Sequence, residues 1–218
     1  MAEIVDRVRF IRTHTEILCP PLVPEVRLHL AHEAVPLWQK TEEELGDMGL
    51  PPPFWAFAWA GGQALARHVL DHKDLVRGRR VIDLASGSGL VGIAARKAGA
   101  AAVVAADIDG FALTAMALNA ALNDVALVVT GDNLLAAPPP AADVILVGDL
   151  FYEKALAEQV WEWLMAARKD GAAILIGDPG RSYLPRARLD RLADYAVPVS
   201  RDLEDAEIKH TAVWTPLA

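Results

Sequence analysis

The sequence predicts an α/β fold: a Rossmann-like, mostly parallel sheet of seven strands with helices on both faces and a C-terminal antiparallel hairpin. Two observations predict this fold. From residue 80 onward, apolar strand-like runs alternate with helical stretches, a pattern that builds parallel β-α-β units. The last two strand-like runs, 195–201 and 209–216, are joined by the acidic connector 202–207, which is too short for a crossover helix. We therefore expect these two strands to pair antiparallel.

The other elements follow in regular order. Strand-like runs, several of them continuously apolar as in sheets covered on both faces, lie at 80–85, 101–106, 125–130, 143–149 and 172–177. Helical stretches lie at 62–72, 89–98, 110–122, 153–168 and 186–194. The composition of the chain changes at Pro51-Pro52-Pro53, where a charged stretch gives way to an aromatic one. We therefore interpret residues 1–50 as an N-terminal extension and residues 51–218 as the main domain.

Composition excludes several classes of protein. The 218 residues include 21 basic and 29 acidic side chains, and the net charge of −8 argues against a nucleic-acid partner, which normally requires a basic face. No apolar run approaches the ~18 residues that span a bilayer, so no membrane partner is expected. The single cysteine, Cys19, and the absence of a signal-peptide pattern favour a cytoplasmic protein.

Metal binding is not expected either. His68 and His72 have the i, i+4 spacing of two ligands on one helix face, but the sequence places no third histidine or cysteine to join them. We interpret the pair as part of a solvated helix face.

A glycine-rich loop follows the first strand of the repeating pattern. Residues Gly87, Gly89 and Gly92 form a G-x-G-x-x-G motif, which lets a ligand approach the backbone but is also compatible with a tight strand-helix turn that binds nothing. Asp107 lies twenty residues beyond Gly87, at the end of the next strand. A carboxylate there can accept hydrogen bonds from both hydroxyls of a ribose, so a nucleoside ligand is indicated.

Asp83 indicates which kind of nucleoside ligand the loop would bind. It lies four residues before Gly87, where it would repel the pyrophosphate of a dinucleotide and favour a ligand that carries an ammonium group. S-adenosylmethionine, with its ribose, sulfonium and ammonium, therefore fits better than NAD, although Asp83 could instead only brace the loop. Asp132 and Asn133 follow the third strand and could meet the adenine, or could form a plain Asx turn.

The motifs together resemble a known family. Residues 81–89, VIDLASGSG, look like motif I of class I, seven-β-strand methyltransferases. Three further motifs make the chain similar, from about residue 19 to 217, to the lysine methyltransferases of the electron transfer flavoprotein β subunit: Pro53-Phe54-Trp55-Ala56 with Trp59-Ala60-Gly61-Gly62-Gln63, Gly148-Asp149-Leu150-Phe151-Tyr152, and Ile176-Gly177-Asp178-Pro179-Gly180-Arg181. The sequence departs from the family at Ala60, where proline is frequent.

The resemblance implies methyl transfer from S-adenosylmethionine to the ε-amine of lysine in a protein substrate, the electron transfer flavoprotein β subunit, with S-adenosylhomocysteine as product. Together with the residue patterns above, it assigns the cofactor to Trp59, Asp83, Gly87, Ser88, Gly89, Asp107, Asp132, Asn133 and Asp149, and catalysis to Asp149, Phe151 and Tyr152.

We expect Asp149 to capture the incoming ammonium and the two aromatic residues after it to wall a narrow amine channel. The resemblance also places Asp178 or Arg181 beside the substrate. Simpler roles remain open: Asp149 as N-cap of helix 153–168, Phe151 packed into the core, and Trp59 as a core residue.

Three other functions compete with this hypothesis. They are a small-molecule N-methyltransferase, a module that binds the cofactor without turnover, and a nicotinamide oxidoreductase supported only by the glycine motif. The sequence leaves open which lysines are modified and whether the chain self-associates.

Overall fold

A computed structural model describes residues 7–31, 52–199 and 207–217. The described part contains five α-helices, which are α1 (Arg7–His14), α2 (Ala60–Asp71), α3 (Leu90–Lys97), α4 (Gly110–Leu122) and α5 (Lys154–Lys169). Its strands are β1 (Glu16–Leu18), β2 (Leu28–Leu30), β3 (Arg80–Leu84), β4 (Ala102–Ala106), β5 (Val128–Thr130), β6 (Val144–Gly148), β7 (Ala173–Asp178), β8 (Leu189–Pro198) and β9 (Ile208–Pro216).

Seven of these strands form one sheet in the order β5-β4-β3-β6-β7-β9-β8. The five strands from β5 to β7 are parallel, and β9 and β8 are antiparallel additions at one edge. This architecture confirms the predicted fold class. The strand order reverses between β3 and β6, and ligands of open α/β sheets bind at such a point, beyond the carboxyl ends of the strands.

Neighbouring residues on the central strands face opposite sides of the sheet, which gives the sheet a core on each face. On β6, Val144 and Leu146 pack with α2 and α3, whereas Ile145 and Val147 pack with α5. Every residue from 144 to 147 is fully buried. The continuous apolar run in the sequence therefore reflects a central strand covered on both faces.

The predicted helix over 186–194 is wrong. A short 3₁₀ turn covers Arg186–Arg188, and β8 then begins at Leu189, well before the predicted strand at 195–201. The helical interpretation rested on local apolar spacing. Residues 189–198 instead pair with β9 over nearly its whole length, and this long-range pairing outweighs local preference. The predicted strand at 125–130 is shorter in the structure and covers only Val128–Thr130. Most of the predicted connector 202–207 lies outside the described residues.

The described part of the N-terminal extension packs against the main domain. The His29 amide donates to the Asn119 side chain at 2.8 Å, and the Arg27 amide donates to Asn123 at 3.1 Å, so β2 is held on α4. Phe10 of α1 contacts Phe111 of α4, with 5.2 Å between the ring centroids. The predicted extension continues to residue 50, and its residues 32–50 lie outside the described ranges.

Across the described ranges, we find no helix with the length and apolarity to cross a membrane. The same ranges hold no group of three histidine, cysteine, aspartate or glutamate side chains that could bind a metal ion. His68 is buried in α2 and contacts the Tyr195 hydroxyl through Nδ1 at 3.0 Å, so it is not on a solvated face as predicted.

Candidate active site

A cavity of about 640 Å³ opens at the carboxyl ends of β3, β4 and β6. We divide its lining into two parts, which we call the glycine-loop end (residues 83–88 and Asp107) and the aromatic end (Phe54, Trp59, Asp149, Tyr152 and Arg181). The sequence-predicted residues that line the cavity are Trp59, Asp83, Gly87, Ser88, Asp107, Asp132, Asn133, Asp149 and Tyr152.

The turn of the glycine-loop end requires an unusual backbone. Gly87 and Gly89 adopt φ values of +54° and +84°, which favour glycine, and Ala85 shares this conformation at +52°. Gly89 is the N-cap of α3 and is buried against Met116. The sequence predicted that it binds the cofactor, but it does not line the cavity. Its role is to make the turn that brings Gly87 and Ser88 to the cavity wall.

Asp83 is a buried carboxyl group, only 1% exposed. It accepts hydrogen bonds from the Ser86 hydroxyl and from the Gly92 amide, the latter at 2.8 Å. Burial raises the pKa of Asp83 to about 7, and these two hydrogen bonds only partly offset this effect. The residue therefore both braces the loop, as one interpretation of the sequence proposed, and lines the cavity.

Asp107 connects the glycine loop to the start of α4. Its Oδ2 accepts from the Gly87 amide at 2.9 Å, and its Oδ1 accepts from the Asp109 amide at 3.0 Å. Within residues 7–31, 52–199 and 207–217, no lysine or arginine forms an ion pair with Asp83 or Asp107. The glycine-loop end is consequently an acidic site held by neutral donors, which suits a cationic ligand.

Asp132 and Asn133 lie beyond β5, at the outer wall of the cavity. Asp132 accepts from the Thr130 hydroxyl at 2.7 Å, and Asn133 accepts from the Leu135 amide at 3.2 Å. Asn133 thus caps a short 3₁₀ turn, as in the Asx-turn interpretation. Both side chains are exposed on the wall and remain within reach of a ligand.

At the aromatic end, Asp149 already has two partners. Its Oδ2 accepts from the Gly62 amide at 2.9 Å, at the beginning of α2, and its Oδ1 accepts from Arg181 Nη2 at 3.0 Å. Burial raises the pKa of Asp149 to about 6, Arg181 counteracts this rise, and nearby Asp178 adds to it. Asp149 is not the N-cap of α5, because Glu153 accepts from the first amides of that helix.

Two glycines allow α2 to reach Asp149. A Cβ atom on Gly61 would overlap the carbonyl oxygen of Gly177 and lie 2.5 Å from Asp149 Oδ2. A Cβ on Gly177 would in turn overlap the Gly61 carbonyl and lie 2.8 Å from Leu65 Cβ. The Trp-x-Gly-Gly and Gly-Asp-Pro-Gly-Arg motifs therefore meet at one backbone crossing, which neither motif reveals alone.

Three aromatic side chains, Phe54, Trp59 and Tyr152, form what we call the aromatic rim. The Phe54 centroid lies 6.0 Å from that of Trp59 and 6.1 Å from that of Tyr152. The Trp59 indole donates to the Phe54 carbonyl at 2.9 Å, and the Arg181 guanidinium lies 5.7 Å from the Trp59 ring centroid. Phe54 and Tyr152 are 40% and 49% exposed, so the rim is open to solvent.

Phe151 does not wall this channel. Its side chain is fully buried in the core between the sheet and α5, as the simpler interpretation proposed. Phe54, by contrast, was not assigned to the site from the sequence. Its place five residues before Trp59, in the Pro-Phe-Trp-Ala motif, was the available signal. In the structure, a short 3₁₀ turn at Phe54–Ala56 brings its ring against Trp59.

Comparisons with known proteins agree with this geometry. The family model described as Ribosomal protein L11 methyltransferase (PrmA) matches residues 64–175. The chain is 39% identical over 216 residues to the electron transfer flavoprotein beta subunit lysine methyltransferase of Danio rerio, covering 96% of this chain and 83% of the relative. The Homo sapiens protein of the same name is 33% identical over 212 residues, covering 94% of this chain and 80% of the relative.

Solved structures support the fold alone. Trm5b from Pyrococcus abyssi superposes with a TM-score of 0.53 at 17% identity, over 93% of this chain and 56% of that one. A putative RNA methyltransferase from Pyrococcus horikoshii superposes with a TM-score of 0.52 at 14% identity, over 82% of this chain and 96% of that one.

The sheet topology, the cavity at its switch point and these relationships define a class I methyltransferase, and this class and fold imply the use of S-adenosylmethionine. More narrowly, the chain belongs to the family of electron transfer flavoprotein β subunit lysine methyltransferases. It is a protein-lysine N-methyltransferase, which confirms the enzyme class predicted from its motifs.

Proposed function

We propose that the protein transfers methyl groups from S-adenosylmethionine to lysine side chains of the electron transfer flavoprotein β subunit. The observation that carries this proposal is the 39% identity to an enzyme named for that reaction, which extends over 96% of the chain. The cavity agrees with it. One space connects an acidic glycine-loop end, suited to a cationic nucleoside, with an aromatic end suited to an amine.

The residues of the glycine-loop end fit S-adenosylmethionine. Asp107 stands at the end of β4, where its carboxylate can accept from the ribose hydroxyls, and Asp83 offers a buried acidic group for the methionine ammonium. Asp132 and Asn133 provide polar groups for the adenine. A cavity of about 640 Å³ lies within the usual range for such ligands.

When bound, S-adenosylmethionine supplies a methyl carbon whose bond to sulfur breaks, leaving the electron pair on sulfur, as the lysine nitrogen lone pair forms the new bond. The protein must align that lone pair and shield it from water. The aromatic rim can contribute to the alignment, because Phe54, Trp59 and Tyr152 line the same cavity as Asp149. Aromatic faces also attract ammonium groups, including methylated ones.

The decisive experiment is intact-mass analysis of purified electron transfer flavoprotein β subunit after incubation with the enzyme and S-adenosylmethionine. We expect a mass increase of whole methyl groups, located on lysine by peptide sequencing. The variant Asp149→Ala should abolish it, whereas Asp190→Ala, which removes an exposed carboxylate on β8, should retain it. An unchanged mass with the wild-type enzyme would overturn the proposed substrate.

A parallel incubation with labelled S-adenosylmethionine tests whether the substrate is a protein or a small molecule. One arm contains a cell lysate and the other its protein-free filtrate. Label in protein supports the proposal, whereas label confined to the filtrate would instead indicate a small-molecule N-methyltransferase.

A further inference from the structure

A cation already occupies the aromatic end of the cavity. The Arg181 guanidinium lies between the Asp149 carboxylate, with 3.0 Å from Nη2 to Oδ1, and the face of Trp59. The side chains of Arg181 and Asp149 are 23% and 10% exposed, so the ion pair is largely shielded from water. A lysine ammonium entering through the aromatic rim would need the same two partners, a carboxylate and an aromatic face.

The chain holds Arg181 in this position through its backbone. Asp178, only 1% exposed, ends β7 and accepts from the amides of Gly180 at 2.6 Å and Arg181 at 2.7 Å. This turn fixes the point from which the guanidinium reaches back to Asp149. Arg181 is therefore part of the site's framework and not a mobile surface side chain.

The charged groups around Asp149 come from several elements. Arg181 and Asp178 approach from the end of β7, the Gly62 amide approaches from α2, and Tyr152 lies on the cavity wall three residues after Asp149. Of the groups that influence Asp149, Arg181 is the cation and Asp178 is the other anion. Removing Arg181 would therefore leave Asp149 without its cationic partner, whereas Asp178 would keep Arg186 nearby.

This matters because methyl transfer requires a neutral amine. A free lysine has a pKa of ~10.4, so deprotonation at pH 7 costs about 4–5 kcal/mol, and an unpaired carboxylate beside it would hold the proton more tightly. A cation beside the nitrogen has the opposite effect. Asp149 alone would therefore bind the lysine in its unreactive form.

We propose that Arg181 is a positioning residue that acts through Asp149: its guanidinium compensates the carboxylate, so that the aromatic end accepts the lysine side chain as a neutral amine. The inference rests on the proposed function and refines it. The ammonium first releases one proton to water, the neutral nitrogen then bonds to the methyl carbon, and the product nitrogen carries the positive charge that leaves the sulfur. Asp149 orients the amine and is not required to take its proton.

The test compares three variants across a pH series, with kcat measured at saturating S-adenosylmethionine and protein substrate. Arg181→Met removes the charge, and Arg181→Lys retains it. As the matched control, Arg79→Met removes an exposed arginine that directly precedes β3, at the end of the sheet opposite the cavity. We expect the acid limb of the Arg181→Met profile to move to higher pH by about 1 unit or more, because both Asp149 and the bound amine lose an adjacent cation.

The profiles of Arg181→Lys and Arg79→Met should stay near that of the wild type, even if Arg181→Lys turns over more slowly. A uniform loss of activity in Arg181→Met with an unshifted profile would overturn the proposal and leave Arg181 a purely structural role. Binding of S-adenosylhomocysteine by calorimetry verifies that each variant is folded.

A second readout does not depend on turnover. Carboxyl ¹³C NMR titration, with Asp149→Asn used to assign the signal, reports the protonation of Asp149 directly. Its midpoint should rise in Arg181→Met and stay near the wild-type value in Arg79→Met. An unmoved midpoint would contradict the inference, whereas a moved midpoint without methylation of the flavoprotein subunit would reject only the proposed substrate.

Discussion

The two ends of the cavity place the same type of residue in opposite electrostatic settings. At the glycine-loop end, Asp83 and Asp107 are held by backbone amides and one hydroxyl, and no basic side chain of the described ranges pairs with them. At the aromatic end, Asp149 is paired with Arg181. The carboxyl groups of the first end have no cationic partner of their own, which favours a ligand that stays cationic until it reacts. The second end has its charge compensated, which suits a ligand that must become neutral.

The largest expected effect distinguishes Phe151, which is buried in the core, from its neighbour Tyr152 at the aromatic end. Phe151→Ala should lower the free energy of unfolding by about 3–5 kcal/mol, because it empties a fully buried site in the core. Tyr152→Ala should change stability little, since its side chain is 49% exposed, yet it should slow methyl transfer. Denaturant unfolding and a methylation assay measure the two effects. Similar stability losses in both variants would contradict the different placement of the two rings.

The backbone crossing provides a second pair. Gly61→Ala should destabilise the protein by about 1–3 kcal/mol and displace Asp149, because the added methyl group overlaps the Gly177 carbonyl. Gly62→Ala is the control, since its Cβ would lie 3.9 Å from the nearest heavy atom, Val91 Cγ2. Thermal unfolding of the two variants is the measurement. Equal stability would mean that the crossing is looser than described.

A third pair of variants, Asp107→Asn and Asp149→Asn, tests whether the glycine-loop end binds the cofactor and the aromatic end does not. Asp107→Asn should weaken S-adenosylhomocysteine binding by about tenfold to a hundredfold, the loss expected for a hydrogen bond to a charged group. Asp149→Asn should leave that affinity nearly unchanged while methyl transfer falls. Isothermal titration calorimetry measures both affinities. An equal loss of affinity in Asp149→Asn would show that Asp149 also holds the cofactor, as its family motif implied.

The smallest expected effect is the pH dependence of binding. Burial raises the pKa of Asp83 to about 7, so the free protein holds a proton there below that pH, whereas a ligand ammonium favours the ionised form. Binding therefore releases a proton, and S-adenosylhomocysteine should bind about tenfold more weakly at pH 6 than at pH 8. Asp83→Asn should flatten this dependence. A steep dependence that persists in Asp83→Asn would assign it to another group.

Much of the glycine-loop end could be predicted from the sequence because its signals are local. Strand, loop and helix follow within a short stretch, and Asp107 is located by the end of the next strand. The aromatic end depends on contacts between distant segments. Arg181 is 32 residues from Asp149, and Gly62 is 87 residues from it, so no spacing rule brings the three together.

The same reasoning explains the errors in the predicted elements. Leu189 and Leu192 have helical spacing, but the pairing of 189–198 with β9 is decided by a partner later in the chain. Phe151 and Tyr152 are neighbours with similar aromatic character, and only the position of α5 decides which of them is buried. Sequence therefore located the aromatic end but did not assign the roles within it.

The crossing of Gly61 and Gly177 also matters for anyone who wishes to redirect this enzyme to new amines. It supports Gly62 and Asp149, which line the cavity, on a backbone crossing that has no room for a side chain at either glycine. Libraries should therefore leave positions 61 and 177 untouched and vary Phe54 and Tyr152, whose exposed rings can change size without disturbing the backbone beneath.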